Sequence, residues 1–473
     1  MLTLADVLDA LTGIRPPWAR QLITDATVDS RQVIPGALFV ALPGEKVDGH
    51  DFVQNAFEKG AHFALIEREL PEDIPVLDLR GDHAGKLATV LEPPFALRVE
   101  NSLAALQKVA KYWRSRLNPR VVGITGSVGK STTKELVAAI LEQRYSTLKN
   151  PGNLNNEIGL PLTILRLGKG HQRAVLEMGF YVPGEIAFLC EIASPQIGVV
   201  TNIGTVHAER AGTQEDIAHG KAELVQALPP APEGTAILNI DDPWVRWMAT
   251  QTQARVFFYG FDPKADLWAD QVEGLGLEGI RFRLHYGNEV LHLKVPLIGR
   301  HSVHTVLRAA AVGLVEGLTW HDIVRGLRYG HPQLRLVAVR SKRGALILDD
   351  TYNASPQSTM AALNLLEELS GRKIAVLGDM LELGRYEEIG HQKIGVRAAE
   401  VAEIIVTVGE RARIIARTAR RLRHPHQVVV DFTECEEAIA YLNERLQEND
   451  VVLVKGSRGM RMDRIVSALE KNE

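Results

Sequence analysis

One short segment constrains this chain more than any other. It is Gly123-Ile-Thr-Gly-Ser-Val-Gly-Lys-Ser131, set between the apolar run RVVGIT and the amphipathic stretch KSTTKELVAAILEQRY. A β-branched apolar run, a Gly-rich turn and a helix form the first part of a βαβ unit, whose crossover makes the neighbouring strands parallel. In the helical stretch Leu136, Val137, Ile140 and Leu141 share one face, which must be buried against such a sheet. The same turn suits phosphate. Its glycines let backbone N–H groups turn inward, and the helix N-terminus adds partial positive charge. Lys130 can reach the β- and γ-phosphates of a nucleotide, and the Ser131 hydroxyl can ligate Mg²⁺. The strict GxxxxGK[ST] pattern misses one position, because Ile124 stands where its first glycine belongs.

The alternation continues on both sides. RAVLEMG and IGVVTNIG are further apolar runs ending in glycine. Residues 266–296 depart from it: FRLHYGNEVLHLKV alternates around Gly287-Asn288 and predicts an antiparallel hairpin. A helix over RHSVHTVLRAAAVGLVEG follows. From about residue 332 the runs GALILDD, KIAVLGD, EIIVTVG, QVVVD and DVVLVKG alternate with helical stretches, which predicts a separate doubly wound, Rossmann-like domain. The first hundred residues read as a small α/β unit. ATVDSRQVIPGALFVAL places two apolar stretches around Pro35-Gly36, and GHDFVQNAFEKGAHFALIE is a helix stopped at Gly60 and then a strand. Pro93-Pro94 marks its end. At about 150 residues per domain, 473 residues allow about three domains. The expected α/β architecture is a small domain over 1–98, a central P-loop domain with a parallel sheet over 99–331, and the Rossmann-like domain over 332–473.

Composition narrows the function. Lys+Arg is 54 and Asp+Glu is 58, so the net charge of −4 removes the electrostatic case for a general nucleic-acid binder. The cluster Arg411, Arg413, Arg417, Arg420, Arg421 and Arg423 reads as a solvated helix face. Two distant cysteines, Cys190 and Cys435, exclude a disulfide framework and point to the reducing cytoplasm. The opening MLTLADVLDALTG carries Asp6 and Asp9 where a signal peptide is apolar, and no apolar run approaches a membrane span.

Several residues could complete a site with the P-loop. Ligands of open α/β sheets bind at the carboxyl ends of strands, and RAVLEMG delivers Glu177 there. From the residues alone Glu177 reads equally as an Mg²⁺ ligand or a surface acid. VVTNIGTVHAE delivers Asn202 and then His207, and Lys221 follows on a helix; on local evidence His207 reads as structural and Lys221 as solvated. LILDDTYNASP sets Asp349, Asp350 and Asn353 at a strand end, before Pro356 opens a helix. Capping accounts for Ser355; a ribose or a cation accounts better for the two aspartates.

Taken together, VDSRQVIPGALFVALPGEKVDGHDF, GITGSVGKSTTKE, NPGNLNNEIGLPLTIL, LEMG, NIGTVHAE, GKAEL, GRHSVHTVLRAA, DDTYNASP, VLGDMLELG and VLVKGSRGM resemble the Mur ligase superfamily of ATP-dependent amide-forming enzymes, in family order from residue 28 to 460. The resemblance implies a uridine nucleotide site at Ser30 and Arg31. It implies ATP contacts at Gly126, Ser127, Gly129, Lys130, Ser131 and Thr132, with Arg335 reaching the phosphates and Asp350 the ribose. It implies substrate contacts at Asn156, Glu157 and Asn353. It also implies two Mg²⁺ ions, held by Ser131 and Glu177 and by His207 and a carbamylated Lys221, so that Lys130, Glu177, His207 and Lys221 carry the chemistry. The sequence departs from the family at Ser302 and Thr305, where asparagines usually contact adenine, and at Ser355. It has no DNPR segment, which favours a dipeptide-adding member over its diamino-acid-adding sibling. The implied partners are UDP-N-acetylmuramoyl-tripeptide and D-alanyl-D-alanine, acted on by a cytoplasmic monomer. The alternatives are a tripeptide-forming or folylpolyglutamate-type ligase of the same superfamily, or a P-loop nucleotide switch.

Overall fold

Short runs such as RVVGIT and DVVLVK are apolar on both faces, so they are strands covered by helices on each side. In the computed structural model they build three sheets. The structure describes residues 1–470 apart from 45–46, 72–73, 82–85, 89, 330–336 and 423. Arg335 and Arg423, and the expected boundary at 331/332, therefore lie outside the described residues.

The first sheet holds β1 (Ala26–Thr27), β2 (Leu38–Val40), β3 (Phe63–Ile66), β4 (Val76–Asp78) and β5 (Phe95–Arg98), all parallel, in the order β1-β2-β3-β5-β4. The expected helix before β3 runs Val53–Glu58, and Gly60 at φ +96° ends it. The helix Ser102–Ser115 follows this sheet, and its apolar side joins the cores of the first and second domains into one.

The second sheet holds β6 (Arg120–Thr125), β7 (Thr147–Lys149), β8 (Arg173–Glu177), β9 (Ile197–Val200), β10 (Thr235–Asn239), β11 (Arg255–Gly260), β12 (Leu267–Gly274), β13 (Ile280–Tyr286) and β14 (Glu289–Val295). Its order is β14-β13-β12-β11-β10-β9-β6-β8-β7. Pairing is parallel from β7 to β12, and the hairpin β13–β14 adds two antiparallel strands. The turn forms at Gly287-Asn288 as expected, with Gly287 at φ +55°. The helices Lys130–Leu141 and Ser302–Val315 cover one face; Gly159–Leu165, Glu185–Ala193 and Gln214–Gln226 cover the other.

The third sheet holds β15 (Val337–Arg340), β16 (Leu346–Asp350), β17 (Arg372–Gly378), β18 (Ile404–Val408), β19 (Val428–Phe432) and β20 (Asp450–Lys455) in the order β15-β16-β20-β17-β18-β19. All five strand runs expected in this domain are present and parallel. The antiparallel edge strand β15 was not foreseen: VAVR is short and mostly exposed, so its hydrophobic pattern is weak. The arginine-rich helix Arg413–Leu422 is the expected solvated face. Arg411 pairs with Glu387 and Arg417 with Glu388.

Candidate active site

The phosphate loop follows β6. Gly126 takes φ +138°, and a Cβ there would stand 1.9 Å from the Thr201 hydroxyl, so only glycine fits. Gly129, at φ +87°, opens the helix Lys130–Leu141. The sequence placed Asn202 beside the site as a possible contact; its role is to cradle the loop. Its carbonyl accepts from Ser127 N, its side-chain oxygen from Val128 N, and its amide donates to the Val128 carbonyl at 2.9 Å. Lys130 Nζ folds back onto the Gly126 and Ser127 carbonyls, at 2.8 and 3.3 Å.

Parallel register sets Glu177 beside Ile124, so the end of β8 lies next to the loop. Glu177 is buried, which removes its surface reading. One carboxylate oxygen accepts from the Ser131 hydroxyl at 2.7 Å and the other from the Asn155 amide at 2.8 Å. Asn155, not its neighbour Asn156, turns to this carboxylate. Asn156 turns its side-chain oxygen to Gly159 N at the start of the helix Gly159–Leu165, and Glu157 is exposed, its carbonyl accepting from Gln107.

Lys221 corrects its local reading as a solvated lysine. On the helix Gln214–Gln226 it is 1% exposed, with Nζ 4.3 Å from the Phe180 ring centre. Gly220 makes room for that ring. Among the described residues no carboxylate forms an ion pair with Lys221. Burial, then the positive charge of Lys130, hold its ammonium well below the usual lysine range. His207, half-buried at φ +67°, is held by Glu382 of the third domain at 2.6 Å through Nδ1. Burial, then Lys130, push its pKa down to about 4. Lys130, Ser131, Glu177, His207 and Lys221 thus share one end of the central sheet.

A cleft connects this end to the third domain. Ser127, Gly129, Lys130, Ser131 and Thr132 line one wall, and Asp350, Asn353 and Lys455 the other. The cleft continues over Leu297, Ile298, His301, Ser302, Thr305, Ala361, Ala362 and Leu365. Asp350 accepts from buried Lys455 at 2.6 Å, and Asn353 bonds Ala354 N. Ser355 caps the helix Pro356–Glu368, as its sequence suggests. Ser30 and Arg31 stand in the first domain, away from this cleft; Ser30 is buried, and exposed Arg31 grips Asp29 through two nitrogens. Sequence reasoning missed Asn150, Asn155, Lys134 and Glu382. The first two sit in NPGNLNNEIGLP, Lys134 in GITGSVGKSTTKE and Glu382 in VLGDMLELG, so the family-like segments were the available signal, whereas periodicity marks none of the four.

A P-loop joined to a buried carboxylate, with a third domain forming the far wall of the nucleotide cleft, is the arrangement of an ATP-dependent ligase. The chain belongs to the Mur ligase family. It matches the family's catalytic domain over 23–111, the Mur ligase middle domain over 124–313 and the Mur ligase glutamate ligase domain over 334–458. Among its relatives is the UDP-N-acetylmuramoyl-tripeptide--D-alanyl-D-alanine ligase of Bacillus subtilis (strain 168), 34% identical over 99% of this chain and 98% of the relative. The crystal structure of MurF from Acinetobacter baumannii superposes with a TM-score of 0.83 at 30% identity, over 99% of this chain and 98% of that one. MurF ligase from Thermotoga maritima in complex with ADP gives 0.76 at 29% identity, over 97% of both chains.

Proposed function

We propose that this enzyme joins D-alanyl-D-alanine to UDP-N-acetylmuramoyl-tripeptide in an ATP-driven step of peptidoglycan precursor synthesis. The observation that carries the reading is the match along nearly the whole chain to ligases of that printed activity. Amide formation needs an activated carboxylate. The γ-phosphoryl group of ATP moves to the terminal carboxylate of the tripeptide, giving an acyl phosphate and ADP. The amine of D-alanyl-D-alanine then attacks the acyl carbon, and the tetrahedral intermediate collapses to amide and phosphate.

Gly126 to Thr132 hold the phosphates, Lys130 neutralises their charge, and Asp350 takes the ribose. Ser30 and Arg31 hold the uridine diphosphate end, and Asn156, Glu157 and Asn353 contact the substrate. Arg335 would reach the phosphates. The donor set suits Mg²⁺: a hydroxyl and a carboxylate on Ser131 and Glu177 are hard oxygen ligands. Lys221, buried and with no carboxylate partner among the described residues, suits a carbamate, which with His207 would hold a second ion. Bound Mg²⁺ supplies charge neutralisation for phosphoryl transfer. Two buried, unpaired cysteines support a cytoplasmic setting, and we take the working unit as a monomer. Cell shape and division would depend on such an activity.

The test is phosphate release from ATP with and without UDP-N-acetylmuramoyl-tripeptide plus D-alanyl-D-alanine. Release that requires both, with amide formed in equal amount, supports the ligase. Slow release indifferent to both acceptors supports a nucleotide switch instead.

A further inference from the structure

Arg308 belongs to no part of the site described so far. It lies on the helix Ser302–Val315 and is 4% exposed. Its Nε donates to Thr133 Oγ1 at 2.6 Å and its Nη2 to Thr305 Oγ1 at 2.7 Å. Thr133 Oγ1 in turn donates to the Gly129 carbonyl at 2.6 Å. A Cβ built on Gly129 would stand 2.5 Å from Nη2, so the guanidinium lies directly against the phosphate loop where it turns into its helix. The short hydroxyl side chains at 302 and 305 accompany this arrangement. Ser302 turns away to the Ile298 carbonyl at 2.8 Å, and Thr305 accepts from Arg308.

The charge is the informative feature. Among the described residues no carboxylate forms an ion pair with Arg308. Asp241, which shares Tyr259 as a neighbour with Arg308, is bonded by His304 at 2.8 Å. A buried cation satisfied only by neutral hydroxyls is costly, and structural arginines in cores are ordinarily paired. Here a second cation, Lys130, and a helix N-terminus share the same loop, so three positive contributions converge before any ligand arrives. A polyphosphate is the chemistry that would compensate them.

We infer that Arg308 is a positioning residue for the nucleotide phosphates: it fixes Gly129 through Thr133 and supplies counter-charge from beneath the loop. The inference rests on the reading that this cleft takes ATP. The test titrates full-length wild type, Arg308→Met and Arg308→Lys with ATP, ADP and adenosine at low and high salt, and melts each without nucleotide. Arg308→Met is expected to weaken ATP about tenfold at low salt, ADP less and adenosine not at all, with a shallower salt dependence. The KM for ATP should rise with kcat held within about twofold, and Arg308→Lys should lie close to wild type. Without nucleotide, Arg308→Met should melt no lower than wild type, because an uncompensated charge has been removed. Unchanged ATP affinity overturns the inference. Equal losses for ATP and adenosine, or a lower melting temperature with proportionate loss of every ligand, reduce Arg308 to packing and also overturn it. Wild type that fails to bind ATP would instead sink the nucleotide reading on which the inference stands.

Discussion

Lys221 shows how one residue changes meaning with its surroundings. An ammonium cannot ligate a cation, yet this one is buried beside Lys130 and faces an aromatic ring. Burial and the positive charge of Lys130 favour the neutral amine, which is the form that adds carbon dioxide. Lys221→Ala should abolish most ligation while leaving ATP binding at the P-loop largely intact, measured by amide formation and by calorimetric titration. Lys221→Arg should not restore activity, since a working carbamate is negative; a fully active Lys221→Arg would refute it. The base-reading end of the cleft is a second case. Ser302 and Thr305 direct their hydroxyls to Ile298 and Arg308, and the surrounding wall of Leu297, Ile298, Ala361, Ala362 and Leu365 is apolar. Neither residue offers the paired donor and acceptor that an asparagine gives a base edge. The ratio of kcat/KM for ATP over GTP should therefore stay within about tenfold, and a ratio above about a thousandfold would show that other groups read the base.

At the scale of elements, the loop 150–157 is tied to the phosphate helix and to β8 by two buried residues. Lys134 Nζ donates to the Asn150 and Gly152 carbonyls at 2.7 and 3.0 Å. Asn150 accepts from Glu177 N and donates to the Leu154 and Glu177 carbonyls. Asn150→Ala leaves the buried N–H and carbonyl of Glu177 without those partners, at about 1–3 kcal/mol each where nothing replaces the bond, and also frees the part-buried Leu154 carbonyl. It should lower the melting temperature by several degrees and cut ATP turnover further than ATP affinity, because Asn155 and Glu177 lose their register. Asn150→Ala with wild-type turnover would show that the loop is held by other means. These ties mark the limit of what was legible in the sequence. Parallel strands such as β6, β8 and β20 announce themselves by apolar runs that end in glycine or a polar residue, and the Gly287 hairpin by alternation. Period 2 and period 3.6 say which face is buried, but not which of two adjacent asparagines turns inward, so Asn155 was passed over for Asn156. Burial of Lys221 depends on Phe180, 41 residues away in sequence, and Glu382 meets His207 across a domain boundary.

Across the whole molecule the two domain junctions differ in kind. The first domain shares a continuous apolar core with the second, reinforced by Arg166 on Asp25 and Tyr112 on Asp9. The third domain's principal apolar clusters are largely its own, and it meets the second through polar contacts: Glu382 with His207, the Glu382 carbonyl with Glu209 N at 3.3 Å, and Tyr386 Oη with Gln214 N at 3.1 Å. Polar junctions of this kind permit domain motion, whereas a shared core resists it. The proposed function would have the third domain close over the nucleotide and the first serve as a fixed platform for the other end of the substrate. Arg31→Ala should raise the KM for the UDP-substrate and leave that for ATP nearly unchanged, because none of the described residues of its domain lines the nucleotide cleft. Weakening the moving junction should act differently. An acyl phosphate is lost to water unless closure excludes it. Tyr386→Phe removes only the hydroxyl that accepts from Gln214, and Glu382→Ala removes the brace on His207. Both should leave the KM for the UDP-substrate near wild type and raise the phosphate released per amide formed, Glu382→Ala more strongly because it also frees a residue of the site. Stoichiometry is the decisive measurement. If both variants still release one phosphate for each amide while turning over more slowly, the junction sets the rate of closure but not its tightness, and the shielding role assigned to it fails.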